Sequence, residues 1–365
     1  MTMLYMAPQG RTRRLGLLAV LLCLLAAGVG HARRQQSATG AMFSVGCGLS
    51  VLQAPWTGTD TVGCEVSADL PEGDVGLTCA DAPSGLACAV SPPVVRLSPG
   101  TPAPVVVTVS YTEMLAPGRA SFRLIAKQGD SEATHALAVV KDINTVSARC
   151  PSADDIRRID RDLDLEFDHD PTKNLVEHPE RCTKSAGSRD LSVMQARVYR
   201  SLATLRRLTF QQRLPWTRDS AYQWLTRAVE GVRFRNDIAN SSCCSPDGMI
   251  NVKTPTQSVG GPGVSGVALG ITAPGGRMPT DFRMLASFLQ LLVHEARHRD
   301  GKPHTCGTRD QTLAEMGGYG AAWAFLRWTA EQSPPGLVPS DAASELLRQA
   351  ENLCRGSICK GSCSL

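Results

Sequence analysis

Three histidines and a glutamate stand at fixed spacing in one short stretch of the sequence. His294 and His298 are four residues apart, so on a helix their side chains point the same way, one turn above the other. Glu295 directly follows the first of them, and His304 comes after Gly301, which permits a sharp turn. Three imidazoles at this spacing suit one tetrahedral zinc ion, with the carboxylate close to a zinc-bound water. The stretch therefore predicts zinc bound by the three histidines, with Glu295 as the general base.

The stretch reads HExxHxxGxxH, and in this it resembles the metzincin clan of zinc metallopeptidases. The resemblance spans residues 294–304 of a chain of 365. It implies a zincin-like domain that hydrolyses peptide bonds, with a methionine-containing turn beneath the metal. Met316 is the one methionine after the motif. The residues around it, 313–319, are compatible with either a turn or a helix.

A second residue competes for the position of third ligand. Glu315 lies seventeen residues after His298, close to the separation at which thermolysin-like zincins supply a glutamate. We favour His304 as the third ligand. Gly301 and His304 both stand at the positions that the motif requires, and this agreement would be a coincidence if His304 did not bind the metal. Glu315 is then expected to accept a hydrogen bond from a ligand histidine and orient it. Tyr319 is a candidate to stabilise the oxyanion of the reaction.

The histidines require a helix to carry them. Apolar residues recur at helical spacing before and within the motif, at Phe282, Leu285, Leu289, Leu292 and Ala296. Thr280 and Asp281 are suited to begin this helix, the first as a cap and the second as a complement to the helix dipole. His294 and His298 fall beside the apolar stripe, so we expect them to face a cleft.

The first 32 residues contain the basic, apolar and small-residue regions of a signal peptide in the usual order. Arginines at positions 11, 13 and 14 precede an apolar run, and Gly30-His31-Ala32 fits a small-x-small cleavage site. We expect export, cleavage near Arg33, and no stable membrane span after cleavage. The predicted location is secreted or periplasmic.

Thirteen cysteines are present, and one of them, Cys23, lies in the predicted signal. An even set of twelve behind a signal peptide predicts disulfides in an oxidising compartment. Four of them precede Asn144 and eight follow it, so bridges are expected within each part. Cys243 and Cys244 are adjacent, and we expect them to bridge to different partners because a ring between neighbours is strained. Cys354, Cys359 and Cys363 are expected to fasten the tail to the domain.

Residues 43–143 have a β pattern throughout. Short alternating runs at 105–111, 119–126 and 135–141 are separated by turn clusters, which favours an antiparallel sandwich. The segment resembles bacterial immunoglobulin-like domains, notably around 116–124, a likeness that bears on architecture and not on chemistry. Such a domain is a candidate for attachment to a surface. His135 lies inside a strand and is expected to be structural.

Residues 150–365 are predicted to form the mostly helical, α+β zincin-like domain. Helical spacing predicts helices over 153–164 and 191–208, with arginines on their exposed faces. Further helices are expected over 217–229 (with Thr217 as N-cap), 310–328 and from Ser340. Strands are expected at 231–235 and 248–253. Asp168-His169-Asp170 fits a cation site or a solvated loop, with the loop as the default. The Gly- and Pro-rich segment 254–279 is expected to be either an edge strand that pairs with an extended peptide or a surface excursion.

Composition narrows the function further. The net charge of +4 is small and no basic stripe with interleaved aromatics is present, which argues against a nucleic-acid partner.

The motif and the export signal together predict a secreted zinc metalloendopeptidase acting on proteins or peptides. One alternative keeps the zinc but acts as an amidase on cell-wall peptides. Another is a surface or periplasmic binding protein with structural zinc, which would need a fourth protein ligand such as Glu315 or Cys306.

Overall fold

The computed structural model describes residues 43–68, 73–177, 181–183, 189–254 and 282–363. The predicted signal peptide, almost all of the segment 254–279 and the predicted helix start at Thr280 and Asp281 lie outside these ranges. The described chain has a β-sandwich in its N-terminal part and a mainly helical C-terminal part. None of its described helices is long and apolar enough to cross a bilayer.

Nine strands form two sheets in the N-terminal part. They are β1 (Phe43–Cys47), β2 (Val51–Gln53), β3 (Gly58–Ala68), β4 (Gly73–Ala80), β5 (Leu86–Ser91), β6 (Val94–Leu97), β7 (Ala103–Tyr111), β8 (Gly118–Gln128) and β9 (Ser131–Lys141). One sheet has the order β1-β3-β7-β5 and the other β2-β9-β8-β4-β6. All pairs are antiparallel except β2 with β9. The predicted sandwich is therefore confirmed.

Alternation of apolar residues builds the core of the sandwich. Because successive side chains of a strand point to opposite faces, β7 buries Val105, Val107 and Val109, and β8 buries Phe122 and Leu124. These side chains belong to one continuous apolar cluster between the two sheets. The outward positions of the same strands are polar or partly exposed.

The C-terminal part combines helices with a small parallel sheet. Its elements are α1 (Ile143–Ala148), α2 (Ala153–Asp162), β10 (Asp164–Glu166), α3 (Val193–Arg207), α4 (Ala221–Ala228), β11 (Gly231–Arg235), β12 (Met249–Lys253), α5 (Phe282–Arg299), α6 (Gly318–Glu331) and α7 (Ser340–Ser357). The sheet order is β10-β11-β12, and both pairs are parallel. Helix α5 packs against α3, α4, α6 and β12, so it lies at the centre of this part.

Helix α5 carries the motif, and its burial follows the predicted stripe. Phe282, Leu289, Leu292 and Ala296 are fully buried, and Leu285 is 6% exposed. Fully burying one large apolar side chain stabilises a fold by about 1.5–3 kcal/mol. The stripe therefore anchors the helix independently of the histidines beside it.

The start of α4 differs from the prediction. The helix begins at Ala221, and its N-cap is Ser220, not Thr217. Ser220 Oγ accepts a hydrogen bond from Gln223 N (3.2 Å), and Gln223 Oε1 accepts one from Ser220 N (3.4 Å). In this capping box the backbone N–H groups of Ser220 and Gln223 both have a side-chain acceptor. A single threonine side chain would satisfy only one of them. Thr217 Oγ1 instead accepts from Asp219 N in the preceding turn (3.1 Å).

The arginines of α3 also depart from expectation, because several are buried. Arg197 and Arg200 are 3% and 6% exposed. Arg200 Nε donates to the carbonyl oxygen of Arg149 (2.9 Å), which satisfies the buried guanidinium. The prediction of a solvated arginine face is wrong for this helix because its polar side also packs against the protein.

Six disulfides join the twelve described cysteines. The pairs are Cys47–Cys64, Cys79–Cys88, Cys150–Cys182, Cys243–Cys244, Cys306–Cys359 and Cys354–Cys363. Each bridge joins two cysteines of the same part, either the sandwich or the helical part, as predicted. Two of the bridges fasten the C-terminal tail, which was also predicted. The expectation that Cys243 and Cys244 bridge to different partners is wrong. The other ten cysteines are paired among themselves, so these neighbours bond to each other.

Buried charges help to join the sandwich to the helical part. Asp155 of α2 is 4% exposed, and its Oδ1 accepts from Arg206 (2.7 Å) and Arg207 (2.6 Å). Arg207 also donates to Glu113 of the sandwich (2.8 Å), and its guanidinium lies over the ring of Trp56. Burial opposes ionisation of Asp155, but the two arginines outweigh it and lower the pKa of its carboxyl group.

Replacing Asp155 with Asn should destabilise the protein by roughly 3 kcal/mol, since two guanidinium groups would stay buried without their carboxylate. A carboxyl group whose pKa is lowered by folding stabilises the fold above its unfolded pKa, about 4, and this stability is lost as the pH falls further. Denaturant unfolding of Asp155→Asn should therefore show a weaker loss of stability below about pH 4 than the parent protein.

The neighbouring Asp154 supplies the control. Its carboxylate is exposed and pairs with Arg158 on the same helix. Asp154→Asn should leave the unfolding midpoint nearly unchanged. Equal effects of the two substitutions would contradict the assignment of the buried cluster.

Candidate metal centre

The first two histidines of the motif converge as their helical spacing predicts. His294 and His298 lie on one side of α5, and their Nε2 atoms are 3.2 Å apart. His294 is 9% exposed, and His298 is half-buried. Helix α5 ends at Arg299, and Gly301 in the turn that follows has a φ of 73° and donates its N–H to the carbonyl oxygen of His298 (3.1 Å). Glycine is favoured here because a left-handed residue is needed to turn the chain back.

The turn at Gly301 returns His304 to the other two histidines. Its ring centroid lies 4.6 Å from that of His298 and 5.2 Å from that of His294. One nitrogen from each ring falls within 4.8 Å of the others. Among the described residues, these three histidines form the one such group of metal-ligating side chains. The structure thus brings together all three predicted ligands.

The remaining ring nitrogens have hydrogen-bond partners elsewhere. His298 Nδ1 bonds the carbonyl oxygen of Lys302 (2.8 Å), and His304 Nδ1 bonds Asp310 Oδ1 (2.9 Å). His294 bonds the backbone of Gly318. An acceptor at Nδ1 keeps the proton on that atom and leaves the Nε2 lone pair for a metal. The donor set and its outer partners fit a zinc ion.

Burial and neighbouring charge keep His294 neutral. Burial is the largest cause, and together with the nearby His298 and His304 it lowers the pKa of His294 to about 3. A neutral imidazole is the form that coordinates a metal.

Asp310, which the sequence did not single out, orients the third histidine. Its side chain is 1% exposed; Oδ1 bonds His304, and Oδ2 accepts the backbone N–H of Gly320 (3.0 Å) in the first turn of α6. The helix N-terminus also favours negative charge at this position. Glu315, the expected orienting residue, instead accepts a hydrogen bond from Thr305 Oγ1 (2.5 Å). Glu315 lies outside the three-histidine group, so the prediction that it orients a ligand histidine is wrong. The buried carboxylate of Asp310 takes the orienting role instead.

A turn between a short 3-10 helix and α6 lies against the histidines. The predicted helix from Asp310 is interrupted: Leu313–Glu315 is a single 3-10 turn, Met316 is left-handed (φ 48°, ψ 45°), and α6 begins at Gly318. A Cβ at Gly318 would lie 2.8 Å from Cε1 of His294, so glycine allows the close approach. Of the two alternatives for Met316, the structure has the turn.

Arg297 connects this turn to the motif helix. Its Nε donates to the carbonyl oxygen of Met316 (2.8 Å), and its Nη1 donates to Asp300 Oδ2 (2.8 Å). The same carboxylate oxygen accepts from Trp224 Nε1 (2.8 Å) on α4. Arg297 is 7% exposed. Three segments are thus fixed around one buried guanidinium, an arrangement that the sequence pattern did not indicate.

Tyr319 packs on two of the histidines. Its ring centroid is 4.2 Å from that of His294 and 5.0 Å from that of His304, with the second pair stacked. The hydroxyl group bonds the side chain of Ser357, and burial raises the pKa of the phenol. Tyr319 therefore limits the positions that both imidazoles can take.

Glu295 is buried beside the cluster. The residue is 6% exposed. Burial raises the pKa of Glu295 to about 7, while the Cys243 hydrogen bond and the charge of His304 act in the opposite direction. A carboxylate so placed is suited to exchange protons near neutral pH.

The other residues considered from the sequence have structural contacts. Asp170 accepts from Thr172 and Ser192, where it helps to fix the start of α3, and His169 Nδ1 bonds Thr254 Oγ1 (2.8 Å). These contacts favour a loop at 168–170 over a cation site, although His169 and Asp170 are only partly exposed to solvent. His135 bonds the backbone of Val45, and burial lowers its pKa, which is consistent with a structural role.

Comparisons with known proteins do not assign the chain to a family. No protein-family model matches it, and no curated protein matches it. A conjugative transposon lipoprotein from Bacteroides eggerthii DSM 20697 is 7% identical over 27% of this chain and 96% of its own, with a TM-score of 0.20. The E. coli chaperone DraB is 14% identical over 30% of this chain and 62% of its own, with a TM-score of 0.21.

A third solved structure overlaps more of the chain. It is a C-terminal portion of alpha-2-macroglobulin from Escherichia coli, 11% identical over 86% of this chain and 55% of its own, with a TM-score of 0.21. Scores this low carry no argument about fold or function.

The contact of Asp310 with His304 generates a prediction. Asp310→Asn keeps the size of the side chain but removes the charge that orients the imidazole, so zinc affinity should fall by roughly tenfold to a hundredfold. Competition with a chromophoric chelator measures this. Glu315→Gln is the matched control and should leave the affinity unchanged. The reverse order of effects would restore Glu315 as a ligand or orienting residue.

Proposed function

We propose that the chain is an exported zinc-dependent hydrolase that cleaves peptide bonds, with His294, His298 and His304 as the metal ligands and Glu295 as the general base. One observation carries the proposal: three imidazoles converge next to a buried glutamate, each held from outside by a hydrogen bond. When bound, zinc supplies a Lewis acid that polarises a carbonyl group and acidifies a water molecule.

The residues of the chain supply the proton transfer. The Glu295 carboxylate accepts the proton of the attacking water and then delivers it to the leaving amine. Hydrogen bonds from outside hold the three imidazoles, at Lys302 for His298, at Asp310 for His304 and at Gly318 for His294, so that one nitrogen of each ring lies near the other two. The contacts of Tyr319 favour a role in packing the imidazoles.

A structural role for the metal is less well supported. Structural zinc sites have four protein ligands, whereas catalytic sites have three and an open position. Of the two candidates for a fourth ligand, Cys306 is bonded to Cys359, and Glu315 bonds Thr305. Neither joins the group of three in the described part of the chain. This arrangement favours a catalytic site.

The disulfides support the proposed location. Twelve cysteines are paired in the described chain, which is consistent with an extracellular or envelope compartment. We propose a protein or peptide as substrate, and the sandwich as a domain that holds the enzyme near a surface.

Substitution of the base and of one ligand tests the proposal. Glu295→Gln removes the proton acceptor but keeps the helix, so zinc should stay bound while turnover falls by about a hundredfold or more. His304→Ala should lose both zinc affinity and turnover. Metal content is measured on the purified protein, and cleavage is followed by mass spectrometry on mixed peptides and on cell-wall peptides.

The chelated protein is the control for both variants, and added zinc should restore its activity. Purified protein without zinc, or Glu295→Gln with full turnover, would refute the assignment. Cleavage confined to the cell-wall substrate would identify the amidase alternative. Bound zinc without cleavage of either substrate would favour the binding protein.

A further inference from the structure

The third histidine of the proposed metal centre lies on a loop, whereas the first two lie on α5. His304 belongs to the segment 300–312, between the end of α5 and the 3-10 turn, and its side chain is 22% exposed. Packing of α5 fixes the positions of the first two histidines. A loop has no such support of its own, so its contacts with other segments decide where His304 lies.

The contact that orients His304 depends on residues 357–360, which we call the tail segment. His304 Nδ1 bonds Asp310 Oδ1 (2.9 Å), and Asp310 is almost fully buried. The backbone N–H of Asp310 donates to the carbonyl oxygen of Ser357 (3.1 Å), and its carbonyl oxygen accepts from Cys359 N (3.0 Å). The tail segment therefore satisfies both backbone groups of this buried residue.

Two further connections join the loop to the tail segment. Lys360 N donates to the carbonyl oxygen of Gln311 (2.9 Å), which extends the parallel pairing by one residue. The disulfide Cys306–Cys359 then links the same two segments covalently, two residues after His304. Within the loop, Cys306 and Arg309 exchange both backbone hydrogen bonds (2.9 and 3.0 Å). The loop that carries the third ligand is thus fastened to the tail at both ends of its 306–311 turn.

The tail segment is itself fixed by the packed helices. It begins at the last residue of α7, which buries Ala342, Leu346 and Ala350 and packs against α5 and α6. The disulfide Cys354–Cys363 returns the chain beyond the segment to the last turns of α7. The tail segment therefore connects the loop of His304 to the same helical core that holds the other two histidines.

We propose that the tail segment is a positioning element of the metal centre. The Cys306–Cys359 bridge and the pairing of 310–311 with 357–360 hold Asp310, and through it the imidazole of His304, in place to bind zinc. Tight zinc binding therefore requires the closed tail. The inference rests on the part of the proposed function that makes the three histidines zinc ligands, and it does not depend on hydrolysis.

Removal of the bridge is the first test. In full-length Cys306→Ser/Cys359→Ser, the loop is released from the tail and the His304 imidazole is held less firmly. Zinc affinity, measured by competition with a chromophoric chelator, should fall roughly tenfold to a hundredfold, the range for loss of an outer support of a ligand. The same number of zinc ions per chain should bind at saturation.

The matched control is Cys150→Ser/Cys182→Ser, which removes a bridge of the same helical part between the segments that precede α2 and α3. Both double variants should unfold at lower denaturant concentration than the parent when metal-free. The first alone should lose zinc affinity. Parental affinity in the first variant, or an equal loss of affinity in both, would overturn the positioning role.

A milder variant decides the matter if the first does not fold. Lys360 is exposed, and Lys360→Pro removes the N–H group that bonds Gln311 while leaving both tail disulfides in place. Zinc affinity should fall by about threefold to tenfold, the effect of one hydrogen bond. Lys360→Ala keeps the N–H group and should bind zinc like the parent. A proline variant with parental affinity would contradict the proposal.

The route through Asp310 is tested by combining substitutions. Asp310→Asn weakens the same contact with His304 that the tail segment supports. Its effect on zinc affinity and that of Cys306→Ser/Cys359→Ser should therefore be smaller together than the product of the two separate losses. Fully multiplicative losses would show that the tail acts on zinc binding by another route.

These outcomes separate the inference from the proposed hydrolase. A parent protein that binds zinc but cleaves no substrate would refute the hydrolase, and the affinities of the variants would still decide the role of the tail. Turnover by the parent together with parental affinity in the bridge variant would overturn the role of the tail while the hydrolase remains. A parent that binds no zinc would refute both.

Discussion

Convergence of three imidazole nitrogens is the arrangement on which the rest of the site depends. Bringing His294, His298 and His304 together places nitrogen lone pairs against one another in a partly buried space, which is unfavourable without a shared ligand. The protein holds this arrangement by giving each ring an acceptor on its outer side. These acceptors come from the backbone at Lys302, from Asp310 and from the backbone at Gly318. The bound metal would then add stability to the folded state, because the unfolded chain has no such preformed site.

The outer contacts also explain why so many elements meet around one helix. Asp310 joins His304 to the first turn of α6, and Arg297 joins α5 to the turn at Met316. Asp300 extends the same connection to Trp224 on α4. A displacement of α4 or α6 would therefore change the orientation of an imidazole. Rigidity of the histidines is a property of the packed helical part and not of the motif alone.

Sequence patterns predicted the features that depend on contacts between residues close together in the chain. The apolar stripe of α5 is buried residue by residue, and the three predicted strands, 105–111, 119–126 and 135–141, fall within β7, β8 and β9. The three histidines converge because helical spacing and a left-handed glycine fix their relation within a few residues. The order of the sandwich sheets and the parallel pairing of β10, β11 and β12 depend on long-range contacts, which one sequence does not specify.

Errors arose where a contact distant in sequence outweighed the local preference. Glu315 was the expected partner of a histidine, yet Asp310 has that position, and its other carboxylate oxygen accepts the N–H of Gly320 in the first turn of α6. The arginines of α3 were expected in solvent, but Asp155 and the carbonyl group of Arg149 draw them inward. Cys243 and Cys244 were expected to have separate partners, and the pairing of the ten other cysteines leaves them to each other. In each case the deciding group is charged, polar or covalently paired, and its partner is specified by the fold.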